Sequence, residues 1–111
     1  MPFTRYEKLA GRSGSSWTID FHVRNPRRSS LVCVLKTANR SSARPIVDHA
    51  VAIWHDLNHL AAGPEALSFV SLFDDTSDVW SNEDFNLLES LSTITRWSRP
   101  DEFITALSEA A

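Results

Sequence analysis

A small mixed α/β domain is predicted by three features: strict alternation over Trp17 to Arg24, a continuous apolar run at 31–35 with a second short, mainly apolar stretch at 66–73, and an amphipathic segment between them. With 111 residues, about two-fifths of them apolar, the chain is long enough to bury a core without disulfides or a structural metal. The expected class is α/β, with α+β the variant, built as a sheet of about four strands and three helices in the order ββαβαβα.

Residues 1–15 hold Gly11, Gly14 and several serines, with only Phe3, Tyr6 and Leu9 to bury, and are expected to form a loosely ordered arm before a single domain over 16–111. In the first strand Trp17, Ile19, Phe21 and Val23 should face the core, while Thr18, Asp20, His22 and Arg24 face outward. The polar link from Asn25 to Ser30 then turns the chain, and Leu31-Val32-Cys33-Val34-Leu35 reads as a strand covered on both sides. The two strands make an antiparallel hairpin.

Residues 45–62 place Ile46, Ala50, Ile53, Trp54, Leu57, Leu60 and Ala61 on one face at 100° per residue. Ser41, Ser42 and Pro45 signal the start of this helix and Gly63-Pro64 its end. The apolar run 66–73 is the next strand, and strand, helix, strand implies a parallel crossover. Ser81 followed three residues later by Asp84 begins a second helix carrying Phe85, Leu87, Leu88 and Leu91. Thr93 to Trp97 is β-branched and aromatic and reads as a short strand, after which Ser98, Pro100 and Asp101 open a last helix with Phe103, Ile104 and Leu107. This order resembles the small mixed-sheet domains of the STAS type, and the resemblance implies a regulatory binding module; no phosphoacceptor motif of that family is found in the chain.

Charge is segregated. Residues 1–44 hold nine of the eleven Lys and Arg against Glu7 and Asp20, whereas residues 45–111 hold twelve acids against Arg96 and Arg99. The segments are therefore +7 and −10, which sum to the net −3 and point to an anionic partner or to internal pairing. Parallel strands would gather Arg12, Lys36, Arg40, Arg44, Asp74, Asp75 and Asp78 at the carboxyl ends of the sheet, the usual ligand edge of open α/β folds. Arg40 and Arg44 there are candidate anion-binding residues. At the opposite edge Arg24, Arg27 and Arg28 form a basic hairpin tip suited to a protein partner or to nucleic acid. Trp80, between an acidic loop and a helix cap, is a candidate interface anchor. An edge strand would also permit a homodimer.

His55-Asp56-Leu57-Asn58-His59 resembles the HExxH motif of zinc metallopeptidases. By that resemblance His55 and His59 are ligands and Asp56 the general base, giving a metal-dependent hydrolase as the enzymatic alternative. On the helical wheel, however, both histidines fall with Asp48 on the face away from Trp54, so these three residues make only a weak metal candidate. His22 and His49 have no visible nucleophile partner. Cys33, the only cysteine, lies inside an apolar strand and is expected to be inert. No Gly-rich phosphate loop, nucleic-acid signature, cofactor motif, signal-like segment or membrane-length apolar run is present. The expectation is a cytoplasmic, non-catalytic binding or regulatory module without a cofactor, acting on a protein partner through its charged sheet edges.

Overall fold

The computed structural model describes residues 2–26, 28–63 and 66–108. The α/β class is as expected, but the sheet has five strands rather than four. They are β1 (Phe3–Ala10), β2 (Ser16–Val23), β3 (Ser30–Leu35), β4 (Ser68–Phe73) and β5 (Thr93–Arg96), with helices α1 (Arg40–Asp56), α2 (Asn82–Glu89) and α3 (Pro100–Ser108). The strands lie side by side in chain order. β1, β2 and β3 are antiparallel neighbours, and β3, β4 and β5 are parallel, joined through α1 and α2.

The N-terminal residues are not a loose arm. β1 pairs with β2 along nearly its whole length, and Gly11 to Ser15 is the turn that joins them. Alternation fails as a signal here because Tyr6 takes a left-handed φ of 55°, and the Tyr6–Asp20 position is missing from an otherwise continuous ladder. A residue in that conformation kinks a strand and shifts the parity of its side chains. β2 changes parity at the same unpaired position: Trp17 and Ile19 pack on the α1 side of the sheet, whereas Phe21 and Val23 pack on the opposite side. The expectation of one core face for all four is corrected accordingly.

Helix α1 begins five residues earlier than expected, so Pro45 lies in its second turn. It also ends sooner, at Asp56, where Leu57 leads into a separate 3-10 turn, Asn58–Ala61. Pro64, part of the expected stop signal, lies outside the described residues. The second helix starts as expected: Ser81 Oγ accepts from the Asp84 N–H and Asp84 Oδ2 accepts from the Ser81 N–H, a reciprocal cap in which Asp replaces the commoner Glu.

Two hydrophobic layers result. On one side α1 and α2 cover Ile19, Leu31, Cys33, Leu35, Phe69 and Phe73 with Val47, Ile53, Trp54, Leu57 and Leu88. Trp54 stacks on Phe69 with centroids 4.6 Å apart, and its indole N–H donates to Ser71 Oγ at 3.0 Å. On the other side, among the described residues, α3 is the one helix available, and Leu107, Phe103 and Ala106 cover Val23, Val32, Val70 and Leu72. One nine-residue helix cannot cover a five-stranded face, and the part left open holds the features described next.

Candidate functional site

The open part of the sheet lies between β1 and α3. Its floor is Phe21, Val34 and Leu72; Phe3 and Tyr6 stand on one side, and Trp97 and Ile104 on the other. Two hollows of about 310 Å³ and 330 Å³ follow this trough and share Phe21, Leu72 and Trp97. Phe3, Tyr6, Trp97 and Ile104 are 56, 60, 62 and 57 % exposed and are the large hydrophobic side chains most open to solvent among the described residues. All four line this one trough, which is how an interaction surface differs from scattered exposed hydrophobes.

The chain builds the trough through one substitution of partners. The β2–β3 ladder runs only from Val23–Ser30 to Phe21–Val32. Beyond it the Val34 N–H donates to Asp20 Oδ2 at 2.7 Å, a side chain taking the place of a strand carbonyl. The two strands therefore part, leaving the cleft lined by Tyr6, Asp20, Val34 and Lys36. Arg5 rests over the Tyr6 and Phe21 rings, its guanidinium carbon 5.2 and 5.8 Å from their centroids, and Phe3 meets Phe21 edge-on. Lys36 and Asp74 border the cleft at the carboxyl ends of β3 and β4. The Thr76 hydroxyl and N–H donate to Asp74 and hold its carboxyl below the usual carboxylate range, with Lys36 adding to the effect.

The charged residues singled out from the sequence are largely engaged within the fold. Arg44 Nε donates to Asp84 Oδ1 at 2.9 Å and the same guanidinium pairs with Glu83, tying α1 to α2. Burial works to raise the Asp84 carboxyl, but the Ser81 N–H, Arg44 and the Ser81 hydroxyl together hold it below its ordinary value. Arg40 donates to the Asp78 carbonyl, and Asp75 accepts from the Ser98 N–H and hydroxyl. Arg12 does not join this edge: its N–H donates to the Asp56 carbonyl, at the far end of α1.

At the hairpin tip Arg24 reaches Thr4 and Glu7, while Arg28 Nε donates to the Ala66 carbonyl at 3.0 Å. Arg27 lies outside the described residues. His22, expected to point outward, is half-buried and paired with Glu7, because the parity change turns it to the α1 side. Trp80, expected as an exposed anchor, is only 9 % exposed; its N–H donates to the Asp74 carbonyl and its ring meets Phe73 edge-on. Trp97 is the exposed tryptophan. The sequence places it inside the last strand, Thr93 to Trp97, whereas β5 ends at Arg96 and leaves it just beyond.

The HDxxH segment does not form one helical turn. His55 lies in the last turn of α1 and His59 belongs to the 3-10 turn, so their spacing is not the four-residue repeat of a continuous helix. Both are exposed, as is Asp48. Asp56, in the position of the general base, accepts from the Ser13 N–H and hydroxyl at 2.8 and 2.6 Å and from the Trp17 indole N–H at 2.7 Å. These donors, the Ser13 hydroxyl foremost, hold its carboxyl below the usual value. An acid at a helix C-terminus is unfavourable in the helix field, and the donated bonds offset that cost while clasping the β1–β2 turn to α1. Among the described residues no group of three or more His, Cys, Asp or Glu is arranged to hold a metal ion. No helix there is long and apolar enough to cross a membrane.

No protein-family model, curated protein or solved structure matches the chain.

Proposed function

We propose that the chain is a non-catalytic binding module whose partner is a protein, and that it binds through the open sheet face rather than through the charged edges. The observation that carries this reading is the convergence of Phe3, Tyr6, Trp97 and Ile104 on one trough. Aromatic side chains beside a concave apolar floor, bordered by charges, form the usual anatomy of a protein interface. The charged edges offer less, since Arg40, Arg44, Arg24 and Arg28 each have acceptors inside the molecule. The hydrolase alternative lacks a free base at Asp56, whose carboxylate already accepts three hydrogen bonds.

Affinity capture with three versions of the protein tests the reading: wild type, Trp97→Glu, and Arg24→Ala combined with Arg28→Ala. A protein retained by wild type and by the arginine variant but lost with Trp97→Glu is the expected result. Equal capture by Trp97→Glu, or loss confined to the arginine variant, would refute it.

A further inference from the structure

Resting on that reading, we infer that the protein occupying the trough is a second copy of this chain, docked so that the α3 ridge of each copy fills the trough of the other. A two-fold interface requires one surface to carry both a projection and the hollow that receives it. The open face does so. The projection is Trp97 with Ile104 on α3, both more than half exposed, and the hollow is the adjacent trough floored by Phe21, Val34 and Leu72.

Charge follows the same division. Asp101 lies three residues before Ile104 and so shares its side of α3. It is exposed, and no ion pair reaches it among the described residues. Across the trough stand Arg5 and Lys36, exposed cations that likewise have no carboxylate within ion-pair distance among those residues. An acidic ridge seated in a partner's trough would meet these cations, and the arrangement would repeat by symmetry. An anionic lipid surface fits less well, because α3 itself presents the exposed Asp101 beside Ile104 on this face. A β1-to-β1 strand pairing is also disfavoured, since Tyr6 in its left-handed conformation interrupts that edge.

The test is sedimentation equilibrium of the whole chain over roughly 1–200 µM, the range in which modest interfaces dissociate. The wild type should be a dimer in the upper part of that range. Trp97→Glu and, separately, Ile104→Lys should each raise the dimer dissociation constant at least about tenfold, with circular dichroism unchanged because both side chains are exposed. Asp101→Lys should weaken the dimer several-fold, and pairing it with Arg5→Glu and Lys36→Glu should recover most of the loss. A wild type that stays monomeric throughout overturns the second-copy proposal, as does a dimer indifferent to both Trp97→Glu and Ile104→Lys. If the protein is monomeric and Trp97-dependent capture of a different protein persists, this inference falls while the proposed function stands. If that capture is also absent, both fall.

Discussion

Replacing Ser71 with alanine tests how the buried polar groups of the main core are satisfied. Ser71 and Trp54 are both fully buried, and the Trp54 N–H donates to Ser71 Oγ at 3.0 Å. Ser92 Oγ donates to the Leu88 carbonyl at 3.0 Å, so the 2.7 Å bond between the two serines uses the Ser71 proton. The chain of donors runs Trp54, Ser71, Ser92, Leu88, crossing from α1 through β4 to α2. Ser71→Ala removes the middle and leaves a buried indole N–H without an acceptor, at a cost of about 1–3 kcal/mol. Ser92 keeps its carbonyl partner, so the central expectation is about 2 kcal/mol, or a fall in Tm of about 8 °C for a domain of this size. Urea titration followed by far-ultraviolet circular dichroism reads this directly. Trp54→Phe keeps a ring on Phe69 but removes the donor. In that background the serine substitution should cost at least about 1 kcal/mol less, a coupling that a double-mutant cycle isolates. Strict additivity, or a Ser71→Ala penalty below about 0.5 kcal/mol, would refute the reasoning.

Three further outcomes follow from other parts of the molecule. A Cβ on Gly11 would sit 1.9 Å from Asp56 Oδ2 and 2.9 Å from Trp17 Nε1, so Gly11→Ala should destabilise by about 1–3 kcal/mol and speed hydrogen exchange in β1, as seen by mass spectrometry. The carboxyls of Asp56, Asp74, Asp75 and Asp84 are all depressed in the folded state. Their stabilisation is present above the ordinary carboxylate pKa and is lost as pH falls through the lowered values; unfolding midpoints should therefore drop below about pH 4, and Asp56→Asn should flatten that acid slope. Burial, with Asp20 adding to it, pushes the Cys33 thiol up, so labelling by a thiol reagent at neutral pH should require unfolding and follow the urea transition.

The parts of the fold legible in the sequence are those where local and tertiary preferences agree. β3 and β4 are mainly apolar because they run through the middle of the sheet and bury nearly every side chain, and the Ser81–Asp84 cap announced α2 to within a residue. β1 was hidden because its burial follows no period of two: Tyr6 turns left-handed and the pairing with β2 skips one position. The same irregularity misled the reading of Phe21 and His22, which depends on an unbroken pleat. The site was less legible still. Charge dominated the sequence, but most of the charges singled out proved to be engaged by caps, helix ties and loop carbonyls. The exposed face depends instead on which side of the sheet the last helix takes and how little of it nine residues can cover, and no local pattern encodes either.

That allocation also makes the molecule unequal in its resistance to opening. α1 is anchored by Val47, Ala50, Ile53 and Trp54, whereas α3 contributes a single buried residue, Leu107, and is too short to persist on its own. Its amides should exchange with solvent long before those of α1, without disturbing the layer beneath α1 and α2. When α3 lifts, Val23, Val32, Val70 and Leu72 lose their cover together. The chain therefore has a native excursion in which one whole side of an intact sheet is bare. The lifetime and frequency of that excursion, rather than the global stability, set how readily the protein aggregates through this side.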